Sequence, residues 1–270
     1  MRRFSNAALA GPLSVVVLLS TLVYAGLVVA PLALAQIGSP PAAAPAQGVM
    51  TFHIDEAVSS RDQELIRTGI RLAADYLDEA FGGRTRGPIL VTISADQGAS
   101  RPAAAGHGRI AFHTTHPYWQ QAPEWRRAQL AAHEYVHSLQ LERGCAANTA
   151  TPLWLVEGTA ELVSFHVVIH GGLMTAEQAR TYNVAQATTE PPLTPLRELA
   201  RHRPEASEVY ALYALAVEHL AARDGLLSLR QFCETVAAGQ PWSEAFASAF
   251  GPTPEAFFEE FERYRQKLAL

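Results

Sequence analysis

One pentapeptide, His133-Glu134-Tyr135-Val136-His137, constrains the fold of this chain more than any other stretch. Two histidines four positions apart point the same way only on a helix, where both rings reach one ion. Imidazole nitrogen suits Zn²⁺, and a catalytic zinc site combines three protein ligands with one open position. At 3.6 residues per turn, Glu134 lies about 100° around the helix from His133. It therefore flanks the ion, where a general base acting on water belongs. The third ligand must come from elsewhere. Glu157, in Trp154-Leu155-Val156-Glu157-Gly158, can supply it from the next helix. The expected centre is one Zn²⁺ per chain on His133, His137 and Glu157. Glu161 follows Glu157 by one turn on the same face. A ligating histidine usually donates its second N–H to a carboxylate, and Glu161 is the expected acceptor for His133.

The rest of the chain must supply a scaffold for that helix pair. Met50 to Asp55, Ile89 to Ser94 and Arg109 to Thr114 read as strands, the last of them an edge strand. Ser59 to Phe81 repeats Ile66, Ile70, Ala73 and Leu77 at helical spacing and stops at Gly82-Gly83. Asp96 to Gly108 reads as a loop. The zinc helix runs from Ala122 to Arg143, and the next helix from Leu153 to about His170. Met174 to Ala187 is helical, and Thr188 to Pro195 is a Pro-rich loop. Helices follow over Glu205 to Arg223, Ser228 to Ala238, Ser243 to Phe250 and Pro254 to Leu268. The predicted class is α+β: a small N-terminal mixed sheet with helices, the HExxH helix, then a helical C-terminal part.

The N-terminus has a different character. Arg2 and Arg3 precede an apolar run from Leu13 to Leu34, and Ala33-Leu34-Ala35 fits a cleavage site. The run is also long enough to span the ~30 Å of a bilayer core. Residues 1–35 are therefore a signal peptide or a membrane anchor, residues 36–48 a Pro/Ala-rich linker, and 49–270 the catalytic domain. Either reading exports the domain, secreted or tethered through residues 13–34. The chain carries a net charge of −5 with pI about 6.1, and no basic patch marks a nucleic-acid partner. Cys145 and Cys233 are either one disulfide or two buried thiols. Nothing in the sequence indicates an oligomeric state.

The stretch Trp154 to Glu161, after the HExxH helix, resembles the gluzincin branch of the peptidase MA clan of zinc metallopeptidases. It is most similar to the WLxEGxAE element of peptidase MA-like domain proteins, and more distantly to thermolysin-like enzymes and alanyl aminopeptidases. Metzincins are excluded, because Gln140 and Arg143 stand where their glycine and histidine would be. The GxMEN element of the aminopeptidases and thermolysin's downstream histidine motif are absent, so the resemblance does not say which peptide bond is cut.

The resemblance implies a peptide or protein substrate. It implies that Glu134 moves the proton, and that a phenol, Tyr210 ahead of Tyr213, donates to the oxyanion. It also implies that Ile110 to His113 pairs with extended substrate backbone. His166 and His170 repeat the four-residue spacing without an accompanying acid and are not expected to ligate. His107, His113 and His116 read as solvated, as do Glu255, Glu259, Glu260 and Glu262. Two other readings remain open. One is a non-catalytic exported binding or assembly module retaining the zincin fold; the other is hydrolysis of a non-peptide amide.

Overall fold

Alternation with period two opens the described chain. In the computed structural model, which describes residues 48–146, 151–187, 195–199 and 207–268, β1 is Met50–Ile54 and β2 is Ile89–Ser94. They pair in parallel through α1, Ser60–Phe81. β2 buries Ile89, Val91 and Ile93 and turns Thr92 outward, as a half-buried strand requires. Ser59 caps α1 by accepting from the Asp62 N–H, and Gly82 ends it at φ 65°. β4, Arg109–His113, lies parallel to β2, and β3, Ala103–Gly106, antiparallel to β4. The mixed sheet runs β1-β2-β4-β3.

One expectation is corrected here. Ile110 to His113 does not lie at the sheet edge, because β4 is flanked by β2 on one side and β3 on the other. The edge belongs to β3, inside the stretch read as a loop. Its Ala-Ala-Ala-Gly sequence has none of the β-branched or aromatic residues that announce a strand.

The remaining described elements are helical. α2, Pro117–Gln121, leads into α3, Glu124–Glu142, and then α4, Leu153–His170. α5 is Ala176–Ala187, α6 Leu196–Leu199 and α7 Ser207–Asp224. α8 is Leu227–Ala237, α9 Trp242–Phe250 and α10 Pro254–Leu268. The class is α+β as expected. Residues 1–47 and 188–194 lie outside the described residues, and with them the N-terminal segment, nearly all of the linker and most of the Pro-rich loop. None of the described helices is long and apolar enough to cross a membrane.

α1, α3, α4 and α7 bury one another around the site. Two glycines set how closely they approach. A Cβ at Gly69 would lie 2.1 Å from the Ala128 carbonyl oxygen, so α1 touches α3 backbone to backbone. A Cβ at Gly158 would lie 2.5 Å from the Tyr213 oxygen, so α4 and α7 do the same beside Glu157. Trp154 stacks on Phe257 with ring centroids 5.6 Å apart, fixing the start of α4 against α10. A disulfide joins Cys145, just beyond α3, to Cys233 on α8. Glu260 and Glu262 are corrected from a solvated face. Glu260 pairs with His219 at 3.0 Å, and Glu262 accepts the Leu196 N–H at 2.8 Å, tying α10 to α7 and α6.

The α4–α7 contact yields a test. Gly158→Ala must displace backbone rather than a flexible side-chain tip, and is expected to cost about 3 kcal/mol in urea unfolding. A loss below about 0.5 kcal/mol would show that the helices separate freely.

Candidate metal centre

α3 begins after Pro123 and buries Ala128, Ala131, Ala132, Tyr135, Val136 and Leu139. This packing fixes the rotation of the helix about its axis and leaves His133 and His137 side by side toward α4. Their Nε2 atoms are 2.9 Å apart. Glu157 Oε2 lies 3.0 Å from His137 Nε2 and 3.3 Å from His133 Nε2. Three atoms each bound to one zinc ion at tetrahedral angles would be about 3.3 Å apart. Two imidazoles and a carboxylate are also a standard donor set for this ion. The group can therefore hold a metal ion.

The charge balance points the same way. Glu134, Glu157, Glu161 and Arg126 are all buried around His133. With both imidazoles neutral, as ligation requires, these groups carry two uncancelled negative charges, the amount a divalent cation neutralises. Without the ion, a proton on His133 would offset one of those two charges. Burial pushes the His133 ring down, but its contacts with Glu157 and Glu161 and the nearby carboxylate charges outweigh that and raise it to about 10. Burial pushes Glu157 up, yet His137 and His133 hold it well below the usual carboxylate range.

Glu134 behaves differently. Burial raises its pKa despite the opposing charges of His133 and His137, and its carboxylate accepts from the Ala105 N–H. That N–H belongs to β3, so the edge strand borders the base. A carboxylate made more basic by burial, beside a candidate metal, is equipped to take a proton from water.

The remaining expected residues lie as follows. Glu161 Oε2 is 2.9 Å from His133 Nδ1. The approach falls short of ideal hydrogen-bond geometry, and among the described residues no other acceptor reaches that buried nitrogen. The Tyr210 ring meets the His133 ring edge-on, with centroids 6.1 Å apart, and is partly exposed. Tyr213 is 0% exposed, so its hydroxyl is closed to a substrate. Burial and then the charge of Glu157 raise its pKa to about 12. His166 and His170 flank Tyr76, with centroids 6.2 and 5.7 Å away, and do not join the cluster. His113 Nδ1 meets Ser94 Oγ at 2.9 Å, and His116 caps α2.

Two supporting residues escape the sequence reading. Gln140 Oε1 lies 2.7 Å from His137 Nδ1, and Gln140 Nε2 donates to the Val156 carbonyl at 3.0 Å. It thus orients one candidate ligand by anchoring it to the backbone next to another. A usable signal was its position one turn after His137 on the same face. Arg126 reaches Glu161 from the start of α3. Its spacing from His133, two turns, is also helical.

With this geometry established, the fold resembles the crystal structure of an M1 zinc metallopeptidase from Deinococcus radiodurans, at a TM-score of 0.54 and 16% sequence identity. The likeness covers 81% of this chain and 48% of that one, so the chain spans about half the length of that structure. At this identity the likeness is one of fold. No protein-family model matches the chain, and no curated protein does.

The protonated His133 predicts a pH dependence for metal-free protein. Folding raises its pKa from about 6.5, so its contribution is complete below that pH and is lost as pH rises toward about 10. The urea midpoint of chelator-treated protein is expected to fall over that window, and less so in His133→Gln. An equal decline in both proteins would contradict a stabilising proton on this ring.

Proposed function

We propose that the chain is a zinc metallopeptidase of gluzincin type, acting outside the cytoplasm. The observation that carries this reading is the meeting of His133 Nε2, His137 Nε2 and Glu157 Oε2 within 3.3 Å of one another, with buried Glu134 beside them. The fold likeness to an M1 zinc metallopeptidase supports it at the level of architecture. The Cys145–Cys233 disulfide is consistent with an exported domain, as are the N-terminal arginines and apolar run.

Zinc held by His133, His137 and Glu157 supplies Lewis acidity toward a carbonyl oxygen and toward water. The protein's own groups do the rest. Glu134 takes the proton of the attacking water at a carboxylate oxygen and later delivers it to the leaving amide nitrogen. Burial makes that carboxylate a better proton acceptor than a solvated one. Tyr210, partly exposed against His133, donates a hydrogen bond from its hydroxyl to the oxyanion as it forms. Tyr213, fully enclosed, does not meet the substrate. Among the described residues β3 is the sheet edge beside Glu134, and it offers main-chain groups to an extended peptide, a mode that reads backbone rather than sequence.

Glu134→Gln is expected to retain zinc and fold while hydrolysis of a mixed peptide pool, read by mass spectrometry, falls at least about 10³-fold. Tyr210→Phe is expected to lower kcat about 10²-fold with a smaller effect on KM. Unchanged turnover in Glu134→Gln would refute the proposed chemistry.

A further inference from the structure

The metal-facing stripe of α3 extends beyond the two histidines. Arg126, Gln129, His133, His137 and Gln140 follow one another at helical spacing. Arg126 is only 7% exposed. Its Nη1 contacts Glu161 Oε1 and donates to Gln129 Oε1 at 2.7 Å, while its Nε donates to the Tyr118 hydroxyl at 2.7 Å. The guanidinium carbon lies 5.7 Å from the ring centroids of both Phe165 and Tyr182. Gln129 Nε2 donates to the other carboxylate oxygen, Glu161 Oε2, at 3.1 Å. That oxygen is the one facing His133 Nδ1 at 2.9 Å. Both oxygens of Glu161 are thus held, Oε1 by Arg126 and Oε2 by Gln129, and the guanidinium is itself walled in by aromatic rings.

We propose that Arg126 is a positioning residue of the metal centre: it holds the Glu161 carboxylate in place, so that Glu161 holds His133 with Nε2 turned to the metal. This inference rests on the zinc reading above. A buried arginine–carboxylate pair is weak evidence for stability in itself, since apolar residues of similar volume fill such a space at least as well. What the pair gives here is a fixed direction: one carboxylate oxygen toward Arg126, the other toward His133. Arg126 contacts Oε1 and leaves Oε2 to face the ring.

The direct test is zinc affinity of the full chain by competition with a chromogenic chelator, in wild type, Arg126→Met, Glu161→Gln and the double variant. Each single substitution is expected to weaken zinc binding about 10- to 100-fold. The double variant should bind no more weakly than Glu161→Gln alone, because Arg126 acts through Glu161. Affinity in Arg126→Met equal to or above wild type would overturn the proposal, since a cation that merely repels the metal would give that result. Losses that multiply in the double variant would overturn it as well. Should Arg126→Met fail to fold, Arg126→Lys keeps the charge without the fork and is expected to lose about tenfold in affinity; an unchanged value would overturn the proposal. Absence of zinc binding by wild type is a separate outcome: it removes the underlying metal reading, and this inference with it.

Discussion

Ionic groups taken out of water must be answered by other ionic groups, and around His133 this requirement governs how α3 and α4 are placed. α4 is apolar along nearly its whole length, and its acidic residues, Glu157 and Glu161, are both buried. A buried carboxylate alone costs far more than one apolar contact returns. Glu157 is answered by two histidines and Glu161 by a histidine and Arg126. Those partners all come from α3, so the two helices are held in a single register. Sliding either by one turn, about 5.4 Å, would separate every pair at once.

The scaffold places that register among its other helices and the sheet. Backbone contact at Gly69 seats α3 on α1, and contact at Gly158, next to Glu157, seats α4 on α7, with Tyr210 edge-on to His133. β3 runs along the Glu134 side and gives that carboxylate a backbone donor. Packing encloses Glu161, Arg126 and Tyr213 and leaves His137 and Tyr210 partly exposed.

How much of this can be read from the sequence depends on whether a residue's partners are local. The HExxH spacing puts both histidines on one helical face whatever the rest of the chain does, so the ligand pair and its flanking glutamate are legible in the sequence alone. Glu157 and Glu161 are legible as a helical pair, and their distances to the histidines are what the fold adds. The long helices follow from their periodicity and end where glycine or proline ends them. β3 was hidden because alanine and glycine carry no strand preference, and that omission moved the edge of the sheet onto β4. Arg126 was hidden because arginine on a helix is ordinarily solvated, and only the closing of α2, α4 and α5 over it makes it an interior residue. Glu260 and Glu262 were misread in the same way, their partners being remote in the sequence.

The central claim is that this buried, negatively balanced cluster is built around a divalent ion. Metal content of the purified chain by elemental analysis, wild type beside Glu157→Ala, tests it most directly. One zinc per chain in the wild type, lost or sharply reduced in the variant, is the predicted result. A folded wild type that holds no zinc after reconstitution would contradict it, leaving a protonated His133 as the group that answers Glu157 and Glu161.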